Sequence, residues 1–252
     1  MYTLKKSLGQ HFLHDEQMCQ KIVQQLQYND GLQLLEIGPG AGALSKYLLE
    51  KENINYKAIE VDDEKVIYLK KTFPQIEDKI LHFDFLKAKI PFENHFSIIG
   101  NFPYNISSQI LFKILDWEPQ VEEVVGMFQK EVALRVAAKE GNKTYGILSV
   151  LIQTFFTVEY LFDVHENCFT PPPKVKSGVI RLVNTNNPYQ INNAKSYLKI
   201  IKAAFGQRRK TLRNALKPFL PPEQLKDEVF NLRAEQLSVN DFVQLYKKYF
   251  NG

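Results

Sequence analysis

Apolar positions along the chain follow two rhythms that change over near residue 185. Before that point, short apolar runs alternate with stretches of helical spacing. Leu32-Gln-Leu-Leu-Glu-Ile37 reads as a strand ending in glycines, and Asn55 to Val61 as a second. Ile80 to Phe83 and Phe96 to Gly100 read as two more, each closed by a polar turn. The spacing predicts helices over Leu44 to Lys51 and Asp63 to Lys71. It predicts another over residues 15 to 28, with Asp15 as its cap and Ile22, Val23 and Leu26 on one face. Ser108 to Leu115 and Lys130 to Lys139 read as helices flanking a strand from Glu123 to Phe128. Strands and helices alternating in this order imply an α/β fold with a mostly parallel sheet covered on both faces.

Two late runs, Phe155 to Phe162 and Gly178 to Val183, read as strands joined by the loop FTPPPKV at residues 169 to 175, an antiparallel hairpin at one sheet edge. Asn184 to Pro188 then reads as a linker. From Ala194 to Phe250 only helical periodicities remain, broken at Pro218, Pro221 and Pro222. The expected division is a main domain over residues 1–184 and a small all-helical domain over residues 185–252.

With 44% hydrophobic and 24% charged residues, the composition is that of a globular protein with a sizeable core. The longest apolar stretch, Tyr145 to Val158, is interrupted by Ser149, Gln153 and Thr154 and is too short to span a bilayer. The segment MYTLKKSLGQ lacks the apolar run of a signal peptide, so a cytoplasmic protein without a membrane partner is expected. Cys19 and Cys168 match no metal spacing, and His11 and His14 have no further ligands nearby, so no metal is expected. Dividing the net charge of +4 along the chain changes the picture. From Thr185 onward there are twelve Lys or Arg against five Asp or Glu, a net of +7, which leaves −3 for the rest. That asymmetry fits a polyanionic partner as well as it fits a solvated helical face.

The segment Glu36-Ile-Gly-Pro-Gly-Ala-Gly42 follows a strand and opens a helix, where a parallel sheet leaves a crevice and glycines such as Gly38 and Gly40 let a ligand approach the backbone. With Ala43 it also fits the dinucleotide pattern G-x-G-x-x-G/A, which keeps an NAD enzyme in view. Three acids tilt the choice. Glu36 precedes the first glycine, Glu60 closes the second strand where a carboxylate can accept ribose hydroxyls, and Asp84 follows the third where it can meet the amine of adenine. A carboxylate at Glu36 suits a cofactor with a cationic amino acid end rather than a pyrophosphate, and S-adenosylmethionine fits that description.

The fourth strand delivers Asn101-Phe-Pro-Tyr104 to the same crevice. The amide oxygen of Asn101 and the carbonyl of Phe102 or Pro103 form a pair of acceptors that suits an NH2 donor. Drawing the lone pair of adenine's amine out of conjugation would favour attack on a sulfonium methyl, with orientation and electrostatics doing most of the work. Tyr104 offers a face for the target base, worth on the order of 1–3 kcal/mol, and Pro103 fixes its direction.

These motifs together resemble those of the ribosomal RNA adenine dimethyltransferases. The resemblance rests on KKSLGQHFL at 5 to 13, EIGPGAGALS at 36 to 45, AIEVD at 58 to 62, GNFPYNISS at 100 to 108, FTPPPKVKSGVIRL at 169 to 182 and LRAEQLSVNDF at 232 to 242. It implies a Rossmann-like class I methyltransferase fold and transfer of methyl groups from S-adenosylmethionine to N6 of two adjacent adenosines in a hairpin near the end of small-subunit rRNA. By the same resemblance His11 and Leu13 are N-terminal cofactor contacts and Gly38 lies beside the methionine part. Glu60 is the ribose ligand, Asp84 the adenine ligand, and Asn101 with Tyr104 the catalytic loop. Phe169 is implied as a second aromatic covering the flipped base. The chain departs from the family at Phe102, where leucine or isoleucine is expected, at Phe85 after Asp84, and at His11, where many relatives have asparagine.

Arg209, Arg213 and Lys217 recur every four residues, on one side of a predicted helix, with Lys202, Arg208 and Lys210 close by. They are the candidate contacts to RNA phosphates. The target base must be flipped out or unpaired to reach the crevice. A monomer acting on small-subunit rRNA or an assembling small subunit is expected. Two other readings stay open: a large-subunit rRNA adenine methyltransferase conferring macrolide resistance, and a non-catalytic ribosome-assembly factor.

Overall fold

The computed structural model describes residues 11–250. Residues 5 to 10 of the first motif therefore lie outside the described residues. The described chain divides into two compact units: residues up to Ala133 with Glu159–Asn184, and Leu134–Val158 with Thr185 onward.

In the first unit, β2 (Gln33–Ile37), β3 (Asn55–Glu60), β4 (Ile80–His82), β5 (Phe96–Asn101) and β6 (Val121–Gln129) pair in parallel, with β2 between β3 and β5. β9 (Ser177–Asn184) runs antiparallel to β6, and β7 (Phe156–Val164) lies beyond it at the edge, which gives the order β4-β3-β2-β5-β6-β9-β7 among the described residues. Central strands of a parallel sheet are covered on both faces and so carry unbroken apolar runs. Phe96 to Gly100 is accordingly buried at every position. The strand order reverses between β2 and β5, which opens a crevice beyond their C-terminal ends.

Local chemistry sets the helix starts. Asp15 caps α1 (Glu16–Val23) by accepting from Met18 N at 2.9 Å, and Asp62 caps α3 (Asp63–Thr72) by accepting from Glu64 N at 3.1 Å. α1 stops well short of the expected residue 28. A short α2 (Ser45–Leu48) follows the glycine loop, and α4 (Ser107–Asp116) follows β5. β1 (Phe12–Leu13) pairs antiparallel with β8 (Phe169–Thr170), so the expected loop 169–175 begins as a strand.

The second unit contains the end of α5 (Lys130–Ala137), then α6 (Ile147–Phe155), α7 (Ala194–Gly206), α8 (Leu212–Leu216) and α9 (Val239–Tyr249). α6 occupies the apolar stretch that periodicity left unassigned. Thr154 Oγ1 bonds Tyr197 Oη at 3.2 Å, which ties α6 to α7. α9 begins in a reciprocal cap, with Asp241 N donating to Ser238 Oγ at 3.1 Å and Ser238 N to Asp241 Oδ2 at 2.9 Å. No helix among the described residues is long and apolar enough to cross a membrane.

Candidate active site

A cavity of about 330 Å³ opens at the C-terminal ends of β2, β3 and β5, and its lining includes Gly38, Gly40, Glu36, Glu60, Asp84, Asn101, Pro103, Tyr104, His11 and Leu13. Sheet register brings its two loops together. Glu36 pairs with Ile99, so two residues further on Gly38 and Asn101 stand side by side at the strand ends.

Gly38, Gly40 and Gly42 adopt φ of +66°, +62° and +83°, a region that costs other residues roughly 1–2 kcal/mol. The peptide N–H of Gly40 thereby reaches Glu60 Oε2 at 3.0 Å. Val61 N and Asp62 N meet the other oxygen of Glu60 at 2.9 and 3.0 Å, which fixes its carboxylate at the cavity wall. Oε2, with one bond, keeps acceptor capacity beyond these contacts.

Glu36 is 2% exposed. Ser45 Oγ and Tyr56 Oη both donate to its Oε2, at 2.7 and 2.5 Å. Burial outweighs those two bonds and pushes its carboxyl up to about 7, with nearby Glu60 acting in the same direction. Glu36 is thus poised to ionise near neutrality when a cation arrives. Asp84 is half-buried in the cavity lining, where its Oδ1 accepts from Leu86 N at 3.0 Å. Phe85, the departure beside it, turns into the core and meets Trp117 edge-on at 5.2 Å.

At the end of β5, Asn101 donates from Nδ2 to His11 O at 3.5 Å, which leaves Oδ1 as an acceptor. Pro103 O already accepts from Ile106 N and Ser107 Oγ, both at 3.3 Å. No donor among the described residues bonds Phe102 O, so of the two carbonyls considered it is the one that no described residue occupies. Tyr104 is half-buried, and its hydroxyl bonds Ser177 Oγ. Burial pushes that phenol up against the opposing effect of the Ser177 bond, so it is neutral at physiological pH. The His11 ring lies 5.7 Å from the Tyr104 ring at 30°, and His11 Nδ1 contacts Pro171 O at 2.9 Å. His14 Nδ1 meets Thr170 Oγ1 at 3.0 Å.

Two expectations meet a different arrangement. Phe169 is 1% exposed, pairs across the two-residue ladder with Leu13 and sits in the hydrophobic core. Here the gain from burying a large aromatic side chain holds it beside Leu13, which itself lines the cavity. The basic repeat is also not one helix face. α7 ends at Gly206, the chain turns through residues 207–210, and α8 restarts after Thr211 in extended geometry, tied by Leu212 N to Leu232 O at 2.8 Å. Arg209 and Lys210 are exposed in the turn, Arg213 is helical, and Lys217 is the C-cap of α8. Lys202 is exposed on α7. Arg208 Nη2 donates to Lys143 O at 2.6 Å and Arg213 Nε to Leu225 O at 3.2 Å.

Sequence reasoning passed over Ser45, Tyr56 and Ser177. Each acts through a partner that chain order alone does not place beside it, and no local pattern singles it out.

Comparison with known proteins adds the following. The family model described as ribosomal RNA adenine dimethylase matches residues 1–251. A Cytophaga hutchinsonii protein named ribosomal RNA small subunit methyltransferase A is 55% identical over 245 residues, covering 96% of this chain and 95% of the relative. A Bacteroides fragilis protein of the same name is 49% identical over 246 residues, covering 96% and 90%. The solved structure of a dimethyladenosine transferase from Plasmodium falciparum superposes with a TM-score of 0.81 at 24% identity, over 96% of this chain and 98% of that one. The 23S rRNA methyltransferase ErmE gives 0.70 at 22% identity, over 92% and 98%. These last two bear on the fold alone, which is that of class I methyltransferases.

Proposed function

The chain belongs to the ribosomal RNA adenine dimethylase family, and from that premise we propose that it uses S-adenosylmethionine to dimethylate N6 of two adjacent adenosines in a hairpin near the 3′ end of small-subunit rRNA. One observation carries the reading: a glycine cradle, two buried carboxylates and a loop of neutral acceptors line one cavity. The residues fit the cofactor. A Cβ placed at Gly38 would meet nothing within 4 Å, so the backbone there is open to close approach. Glu60 is held ready for ribose hydroxyls, Asp84 for the adenine amine, and Glu36 for an ammonium group.

When bound, the cofactor supplies a methyl group made electrophilic by a sulfonium centre. The chain's own residues handle the nucleophile. Asn101 Oδ1 and Phe102 O accept the two N–H bonds of the target amine, which draws its lone pair out of conjugation and aims it. Tyr104 carries the base on its ring, held in place through Ser177. Phe169, the ladder partner of cavity-lining Leu13, holds that residue in place. None of these groups is a base of matched pKa, so the proton lost from N6 passes to water and catalysis rests on positioning.

The names of the close sequence relatives favour the small subunit over the large one. Transfer of labelled methyl groups to small subunits lacking these modifications, followed by mapping, tests the reading. Label on both adenosines is expected. Label confined to large-subunit rRNA would establish the macrolide-resistance type of activity instead, and no label on any ribosomal substrate would establish an assembly role.

The exposed cations at 209, 210 and 217 supply the grip on RNA phosphates. Reversing Arg209 and Lys210 to Glu spares the Arg213 bond to Leu225 O. It is expected to weaken RNA binding at least about tenfold and to flatten the salt dependence by about two ions. Unchanged affinity and slope in a filter-binding titration would remove these residues from the interface.

A further inference from the structure

Phe102 stands where the family pattern led us to expect an aliphatic residue, and its surroundings account for the ring. The side chain is 1% exposed although its backbone forms the rim of the cavity. Its ring lies over two glycines that face each other across β5 and β6, since Gly100 is registered with Gly126. A Cβ at Gly126 would fall 2.4 Å from Phe102 Cε2 and 2.6 Å from Phe128 Cε2. A Cβ at Gly100 would fall 2.7 Å from Phe102 Cε1 and 2.7 Å from Ile37 O. Neither glycine has the positive φ that marks Gly38, Gly40 and Gly42. They are therefore present for space, at the cost that glycine carries in a strand interior, about 0.5–1 kcal/mol relative to alanine. Phe128 completes the slot, its ring centroid 4.8 Å from that of Phe102 at 45°. The backbone is fastened at the same residue, where Phe102 N donates to Met127 O at 3.1 Å.

We propose that Phe102 and Gly126 form a lock that sets the position of the reacting loop, with Phe102 as a positioning residue. The residue whose ring is held in the slot is the one whose carbonyl accepts from no donor among the described residues, and its immediate neighbour is Asn101. A ring displaced along the sheet carries both acceptors with it. A misplacement of about 1 Å at a reacting centre costs on the order of a hundredfold in rate. The lock rests on the proposed role of the Asn101 loop.

The test is a double-mutant cycle in the full chain, assayed with labelled S-adenosylmethionine and under-methylated small subunits. Gly126→Ala is expected to lower kcat about a hundredfold with both KM values within about twofold, because the acceptors move while the cofactor cradle and the RNA contacts stay. Phe102→Leu alone is expected to lower kcat about tenfold, since the smaller side chain holds the loop less firmly. Together they are expected to lose no more than Phe102→Leu alone, because the vacated slot accommodates the new methyl and lets Phe128 relax. The melting temperature of the unliganded protein gives a readout independent of activity: Gly126→Ala lowers it, and adding Phe102→Leu raises it again. Losses that multiply in kcat, or a double variant that melts below Gly126→Ala, would overturn the lock. If Gly126→Ala does not fold, Phe102→Leu decides alone, and a kcat within twofold of the unmodified chain overturns the proposal. An Asn101→Ala variant that keeps full rate ends the reading of the loop itself. An inactive Asn101→Ala beside a fully active Gly126→Ala ends only the lock.

Discussion

The loop at residues 38–42 holds its shape through glycine dihedrals, with φ of +66°, +62° and +83° at Gly38, Gly40 and Gly42, and leaves open space above Gly38. The loop at residues 101–104 has no positive φ and is held by burial of Phe102, the hydroxyl bond of Tyr104 to Ser177, and the carbonyl bonds from Ser107. One loop presents backbone for a ligand to lie on. The other fixes individual acceptor atoms. The difference follows from the two tasks: binding an extended cofactor needs access, whereas aiming an amine needs atoms that do not move.

This contrast predicts that damage on the two sides separates into rate and affinity. Asn101→Ala should produce the largest effect, a fall in kcat of about 10²–10³-fold, as for removal of one polar group from a preorganised site. Cofactor affinity by calorimetry should stay within a few fold. A large loss of affinity with little loss of rate would break the comparison.

Gly38→Ala should do the reverse. Its strained φ costs roughly 1–2 kcal/mol and its methyl enters the space the cofactor needs, so affinity should fall at least about tenfold. The rate at saturation should hold.

Glu36 sharpens the comparison on the cofactor side. Its folded value, about 7, lies above the ordinary value of 4.5, so the folded state binds more protons than the unfolded state between those limits. Stability should therefore fall as pH rises from about 4.5 to about 7, by at most about 3 kcal/mol. Denaturant titrations of Glu36→Gln should show that slope removed. Cofactor binding at pH 6 should release a proton, visible as a dependence of the calorimetric enthalpy on buffer, and Glu36→Gln should abolish it.

The smallest effect is expected at Ser177→Ala. Losing the buried partner of the Tyr104 hydroxyl should cost about 1–3 kcal/mol of stability by denaturant titration and a few fold in kcat, with cofactor affinity unchanged.

Much of the first unit was legible in the sequence because its strands are short, apolar and bounded by glycine or polar turns. Leu32 to Ile37 and Phe96 to Gly100 each fall within one residue of the observed strand. Asp15 marks its helix start through the local chemistry of a cap. Two segments were decided by packing and not by local pattern. Tyr145 to Val158 has an apolar content compatible with helix or strand, and only its packing with the C-terminal helices makes residues 147–155 helical. Arg209, Arg213 and Lys217 satisfy helical spacing, yet the tie from Leu212 to Leu232 interrupts the helix between them.

By itself the sequence determined the alternation of strands and helices through β6, the glycine loop, the acids at the strand ends and the family, since each is written in residues adjacent along the chain. The tertiary structure decided which groups are free to react. Among the described residues Pro103 O is occupied and Phe102 O is not, Glu36 is buried against Tyr56 and Ser45, Phe169 lies in the core, and Gly126 makes room for Phe102. Those outcomes depend on burial and on partners far apart in the sequence, and no local pattern encodes the free energy of a contact before the sheet has brought its strands together.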